Sequence, residues 1–296
     1  AIDALTATAV RDENSAHAVA EEYAALVRKL AAVNPQPQFI VLPEKVFADR
    51  VGWSGRSLQV LQETADETDV TLVAGFDEDL DAQRRGNTAR VLLPRLPTKV
   101  YLKRRMVPGL EEHFTGGAES LVDHGYGVAI CKDLDFPGLI REYGAAQTRL
   151  LLVPAWDFVG DGRLHARMAV VRGVENGFAL ARAAAMGRLT VSDAFGRIVA
   201  ERVTDPSSAS TLSATVGLVS GRTLYSRTGN ALAWLVVAAA VAIVAWATLG
   251  LVQRPPRKES SRRAGREPGA VSARRRTAAM RPRKNLPSKS GSASSA

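Results

Sequence analysis

Twenty-two consecutive residues, 231 to 252, carry no charge: ALAWLVVAAAVAIVAWATLGLV. As a helix that run is roughly 33 Å long, enough to cross the hydrocarbon core of a bilayer. Trp234 and Trp246 fall toward its two ends, where interfacial anchors belong. The other reading, a buried Ala-rich core helix, would need a folded partner on both sides. The run leads instead into a polar tail rich in Arg, Ser, Pro and Ala. A tail with almost no large apolar residue cannot bury enough surface to fold, so 253–296 is expected to be disordered.

The tail also explains the charge of the chain. Of 39 Lys/Arg and 30 Asp/Glu, 13 and 2 lie in 253–296, so the preceding residues keep 26 basic against 28 acidic. The formal charge of +9 is therefore a property of the tail alone. A basic arm for nucleic acid is one reading of such a run. Its start directly after the apolar span, at Arg254, Arg257 and Lys258, favours a topology signal and contact with anionic lipid. By the positive-inside rule the tail is cytoplasmic and residues 1–230 lie on the outer side. No nucleic-acid partner is expected.

Before the span the chain alternates between strand and helix patterns, which is an α/β signature. Residues 1–3 read as the end of a strand whose beginning lies upstream. Residues 15–32 predict a helix with Ala18, Tyr23, Leu26, Val27 and Leu30 on one apolar face. Helices are also expected over 58–68 and 163–175, the latter with Met168, Val171 and Val174 inward. Strands are expected over 38–43, 71–76, 88–93, 99–103, 127–131, 150–154, 179–185, 189–192 and 197–203. The turn 193–196, ending in glycine, is a hairpin signal.

Three of these strands end on a reactive residue: Glu44 after FIVLP, Lys103 after VYL, and Cys131 after GVAI. In layered α/β folds the carboxyl ends of strands meet in a common crevice. A carboxylate there can take a thiol proton, and an ammonium can depress the thiol pKa and stabilise an oxyanion. The thiol is then the nucleophile. Taken singly, each has an ordinary explanation: a salt-bridged carboxylate, a surface lysine, a small buried cysteine. Cys131 is the only cysteine, so no internal disulfide forms. No His, Cys or carboxylate spacing fits a metal, there is no Gly-rich phosphate loop, and no cofactor is expected. His165 is expected to pack or to join a polar network; His113 and His124 read as loop residues without a role.

The sequence LPE at 42–44, Y-x-K-x-x-x-V-P-x-x-E at 101–111 and I-C-K-D-x-D-F-P at 130–137 resemble the three catalytic motifs of the nitrilase, or carbon–nitrogen hydrolase, superfamily. Within it the resemblance is closest to the apolipoprotein N-acyltransferases. Ala155-Trp156, H-x-R-M-x-x-x-R-x-x-E-N-G at 165–177, Arg182-Ala183-Ala184 and 193–199 are similar to the segments after the catalytic strand in that family, and the likeness spans roughly 38–203. It implies a four-layer α-β-β-α sandwich over 1–225, followed by the membrane helix 231–252.

The resemblance also implies roles. Glu44 is the base, Lys103 the oxyanion partner and Cys131 the nucleophile. Glu111, with Glu112 as an alternative, orients the lysine or joins the proton relay, and the backbone N–H of Lys132 completes the oxyanion hole. Trp156 belongs to the supporting set. Lys132 and Asp133 depart from the usual aromatic and Glu after the cysteine. The added cation is expected to depress the thiol pKa further, and Asp133 keeps a carboxylate with shorter reach.

The implied reaction carries a fatty acyl group from a phospholipid, through a Cys131 thioester, to an amine such as the N-terminal cysteine of a lipoprotein. The implied place is a bacterial inner membrane, with the catalytic domain on the periplasmic side. The alternative is a membrane-tethered amidase or nitrilase with the same triad and water as acceptor. A third reading, a non-catalytic domain that kept the fold, runs against the intact Glu44, Lys103 and Cys131. The sequence leaves the oligomeric state open.

Overall fold

A computed structural model describes residues 2–3, 10–33, 35–158, 160–205 and 208–252. In chain order the elements begin with β1 (Ile2–Asp3), α1 (Glu13–Ala31), β2 (Phe39–Val41), β3 (Phe47–Asp49), α2 (Arg56–Thr68), β4 (Thr71–Asp79), β5 (Arg85–Leu92) and β6 (Lys99–Leu102). The second half adds β7 (Leu121–Asp123), β8 (Tyr126–Val128), a 3-10 turn (Cys131–Asp135), α3 (Pro137–Ala145), β9 (Leu150–Trp156) and α4 (Gly162–Asn176). It closes with β10 (Ala179–Ala185), β11 (Arg188–Ser192), β12 (Ile198–Val203), β13 (Ser210–Thr211), α5 (Leu224–Thr228) and α6 (Ala231–Val252).

Two main sheets form. One has the order β2-β4-β5-β6, with β3 also paired to β4; the other runs β12-β11-β10-β9-β8-β7. The strands that read as continuous apolar runs do so because alternate residues enter different cores. Ile40, Leu72, Ala74 and Phe76 join Tyr23, Val27 and Leu61 of α1 and α2. Val41 and Val73 point the other way, against Val128, Leu150 and Leu152 of the second sheet. Leu151 and Val153 face Ile140, Tyr143, Ala169 and Val170 of α3 and α4. Helix pair, sheet, sheet, helix pair is the layering these three clusters define.

Helix α1 begins at a capping box, where Asp12 and Ser15 bond each other's backbone N–H. Its buried stripe is Ala16, Val19, Ala20, Tyr23, Ala24, Val27, Leu30 and Ala31. The expected inward Ala18 is exposed, one position off that stripe. The inward face expected of α4 is wrong in the same way. Val171 and Val174 are 50% and 44% exposed, whereas Ala166, Ala169, Val170 and Gly173 are buried. Small residues win because the helix lies close to the following chain: a Cβ on Gly173 would come within 2.9 Å of the Phe178 carbonyl oxygen. Helix α3, the short strands β3 and β7 and the turn at Cys131 have no counterpart among the expected elements.

The chain divides into two units, Ala1–Ala242 and Ile243–Ala296, with the boundary inside α6. From Ala231 to Leu249 that helix has a mean hydropathy of 2.4 and no buried share, long and apolar enough for a bilayer. The tail expected to be disordered, 253–296, lies outside the described residues.

Candidate active site

The three strand ends do meet. Glu44 follows β2, Lys103 follows β6, Cys131 follows β8, and all three line one cavity of about 410 Å³. The backbone N–H of Glu44 donates to the carbonyl of Ala155, 3.2 Å away, which ties the end of the first sheet to the second. Gly75 of β4 makes room for this segment: a Cβ there would lie 2.3 Å from the Pro43 carbonyl oxygen and 2.5 Å from Glu44 Cα. No side chain fits at that separation.

Lys103 is wholly buried and held between two carboxylates. Its Nζ donates to Glu44 Oε1 at 2.7 Å and to Glu111 Oε2 at 2.6 Å. Burial works against the ammonium, but Glu44, then Cys131 and Glu111, outweigh it and raise the lysine above its ordinary value. Glu111, the first of the two glutamates weighed, is the one that reaches Lys103. Burial pushes its carboxyl up, yet Lys103 and Lys45 bring it down to about 2. Lys45, which the sequence did not single out, lies 2.5 Å from Glu111 Oε1 and also lines the cavity.

Cys131 stands on a sharp turn. Its φ is +38°, in the left-handed region that non-glycine residues rarely occupy. Such an outlier is held in place by its surroundings. Here the brace is Asp133, whose Oδ2 accepts from the Ile130 N–H at 3.0 Å and the Tyr101 hydroxyl at 2.7 Å. Its Oδ1 accepts the Arg105 N–H at 2.8 Å. Asp133 is fully buried, and that burial raises its carboxyl pKa despite these donors. It supports the turn and is absent from the cavity wall.

The thiol of Cys131 donates to the Trp156 carbonyl at 3.4 Å. Burial first, then the Glu44 carboxylate, push the thiol up to about 12 against the pull of Lys103 and Arg182. The expected depression by lysine is present but is overruled by desolvation. Lys132 is not among the main influences on the thiol, and its ammonium is paired with Asp135. A thiol held neutral beside a carboxyl group is suited to losing its proton during attack, with that group as acceptor.

Beneath the cavity lies an ion pair that sequence reading did not assign. Arg182 Nη1 donates to Asp157 Oδ2 at 2.9 Å and Nη2 to Oδ1, with both residues almost fully buried. His165 Nδ1 sits 3.2 Å from the same Asp157 Oδ1, which places it in a polar network. His113 packs on Phe114, and His124 is exposed beside Asp123. The rest of the cavity wall combines the apolar Val107, Leu110, Leu134, Trp156, Phe158 and Met168 with the polar Lys132, Asp135, Asp161 and His165. Among the described residues no group of three or more His, Cys, Asp or Glu side chains could hold a metal ion.

The model of the carbon-nitrogen hydrolase family matches residues 14–223. Over 259 residues the chain is 28% identical to the apolipoprotein N-acyltransferase of Geobacter metallireducens, covering 76% of this chain and 48% of that protein. The chain thus spans about half the length of the curated relative it matches. Among solved structures, the nitrilase-superfamily member Nit3 of Saccharomyces cerevisiae superposes with a TM-score of 0.59 at 21% identity, covering 68% of this chain and 85% of that one. A carbon-nitrogen hydrolase of Helicobacter pylori gives 0.56 at 18%, covering 64% and 80%. An amidase of Nesterenkonia sp. gives 0.55 at 20%, covering 73% and 87%. At these identities the likeness to solved structures is one of fold. The family's match takes in both main sheets and every charged residue around Cys131, and the chain belongs to the carbon-nitrogen hydrolase family.

Proposed function

We propose that this chain is a thiol-dependent acyltransferase that takes a fatty acyl group from a phospholipid and passes it to an amine. The observation that carries the proposal is the pairing of a charged floor, Glu44–Lys103–Glu111 beside Cys131, with walls of Leu110, Leu134, Phe158 and Met168 in one cavity. The floor supplies the chemistry and the walls suit an alkyl chain. In this reading Glu44 accepts the thiol proton as sulfur attacks the ester carbonyl. The oxyanion is met by the Lys103 ammonium and the Lys132 backbone N–H. Collapse expels the lysophospholipid alkoxide, which takes the proton back from Glu44 and leaves the thioester. The amine then attacks the thioester, forming an amide and restoring the thiol. Glu111 holds Lys103 in register, Asp133 braces the turn, and Trp156 places the sulfur through its carbonyl.

The likeness to an apolipoprotein N-acyltransferase supports a lipoprotein amine as acceptor. The apolar α6 supports a membrane anchor that follows a catalytic domain over 1–225. The cationic stretch after it supports a cytoplasmic tail, with the catalytic domain on the periplasmic side of a bacterial inner membrane. The full chain in vesicles of phospholipid with a labelled acyl chain is expected to acquire a hydroxylamine-sensitive label, and Cys131→Ala none. An unlabelled wild type, or equal labelling of Cys131→Ala, overturns the proposal.

A second reading, a tethered amidase with water as acceptor, is favoured by the likeness in fold to an amidase. Ammonia release from small amides without lipid, by wild type and not by Cys131→Ala, would select it.

A further inference from the structure

We propose that Asn87 is a positioning residue of this site, whose one amide nitrogen fixes Glu44 and Glu111 so that Glu44 offers its second oxygen to the Cys131 thiol. The inference rests on reading Glu44 as the base for Cys131. Asn87 lies on β5, fully buried, with its backbone carbonyl accepting the Lys103 N–H at 2.9 Å. Its Nδ2 donates to Glu44 Oε1 at 2.6 Å and to Glu111 Oε1 at 2.9 Å. An amide nitrogen has two hydrogens, and here each serves a different carboxylate.

The other end of the amide is different: Asn87 Oδ1 is buried and has no hydrogen-bond partner among the described residues. Turning the amide over would set that oxygen against two carboxylates, so the orientation is determined by charge. An unmet buried acceptor costs stability, and an apolar group of the same size has no such cost. The unmet oxygen is the consequence of needing a double donor at this point.

The effect falls on Glu44 more than on Glu111. Glu111 has three further donors: Lys103, Lys45 and the Val107 N–H. Among the described residues Glu44 has only Lys103 besides Asn87 as a hydrogen-bond donor, and both fall on Oε1, with Lys45 Nζ 4.0 Å from the same oxygen. No hydrogen bond of the described residues reaches Glu44 Oε2, which leaves that oxygen for the proton of the thiol. Without Asn87 the carboxyl is held at one point and can turn about it.

The test uses p-nitrophenyl butyrate as an acyl-donor probe and iodoacetamide as a thiol probe, on the full chain in detergent. Cys131 is the only cysteine, so alkylation has one destination. Asn87→Leu keeps the volume and removes both the donor and the unmet acceptor. It is expected to lower kcat by about 100-fold, within the range for impaired general-base catalysis. KM should stay within about twofold, since Asn87 does not line the cavity. The acid limb of the rate and of alkylation should move to higher pH. Asn87→Ser, with one hydroxyl hydrogen for two carboxylates, is expected to lose less and serves if the leucine variant does not fold. A folded variant of either kind with the wild-type pH profile overturns the inference. Cys131→Ala run alongside separates the two failures: full activity there overturns the reading of the site and this inference with it, whereas loss there leaves the Asn87 result decisive.

Discussion

Arg182 and Asp157 face each other as a two-pronged ion pair shut away from solvent, and Arg182 forms part of the wall around Cys131. A buried pair adds little to stability when intact, but breaking it strands a charge in a medium that cannot solvate it. Asp157→Asn is therefore expected to cost about 3–5 kcal/mol. For a domain of this size that is a fall of about 10 °C in Tm. Asp157→Leu with Arg182→Met should cost less than the sum of the two single changes, because neither charge is then left alone. Thermal unfolding of the four proteins in detergent closes the cycle; additive losses would show the two residues to be independent.

Lys103 donates to Glu44 and Glu111 together, at 2.7 and 2.6 Å. Lys103→Met keeps the length of the side chain and removes the charge. Two carboxylates then share a buried space with Asn87, Lys45 and the Val107 N–H as donors and one cation between them, so one of them takes up a proton. Acylation by an activated ester is expected to fall at least about 10²–10³-fold, the range for loss of an oxyanion donor. Lys103→Arg should not rescue it, because a planar guanidinium does not fit where a compact ammonium is fully enclosed. Recovery of more than a tenth of the wild-type rate in Lys103→Arg would contradict this geometry.

Acid sensitivity should trace partly to Glu111. Its folded-state pKa is about 2 against an ordinary 4.5. A depressed carboxyl stabilises the fold above its unfolded value and loses that contribution as pH falls from there through about 2. Glu111→Gln removes the titration. The gap in Tm between wild type and Glu111→Gln is thus expected to be widest above pH 5 and to narrow steadily below it. A gap independent of pH would mean that Glu111 is not held ionised by its lysines.

Gly75 tests whether the backbone at Glu44 must sit where it does. A Cβ at 2.3 Å from the Pro43 carbonyl oxygen forces that segment to move, since neither partner is a flexible side-chain end. Gly75→Ala is expected to cost about 100-fold in acylation rate, as a misplacement of about 1 Å does. Gly138→Ala in α3, where a Cβ meets nothing within 4 Å, is the control and should leave the rate unchanged.

The sequence was legible where local pattern decides the outcome. Apolar strands that end on Glu44, Lys103 and Cys131 announced a shared crevice, since strand ends in a layered fold have few other places to go. Glu111 was reached through the resemblance of the motif at 101–111 to the family's second motif, with Glu112 as an alternative. Asn87 and Lys45 were not, because their meeting with Glu111 is set by the pairing of β4 with β5 and β5 with β6, which no single segment reveals. Asp157 stayed hidden for the same reason: it lies just past the end of β9 and its partner is Arg182 on the neighbouring β10. The face of α4 was misjudged because bulky valines attract attention and the true contact is made by alanine and glycine. The thiol pKa was misjudged because burial, which decides it, is not written in the neighbours along the chain.

The left-handed backbone at Cys131 settles which hydroxyl could take the place of sulfur. A primary alcohol has the single Cβ substituent of cysteine and tolerates φ +38° equally well, so serine could occupy the turn with its oxygen on the same line. Threonine, branched at Cβ, is among the residues for which this region is a true outlier. Any attempt to place an oxygen nucleophile at this position is confined by that one torsion to serine.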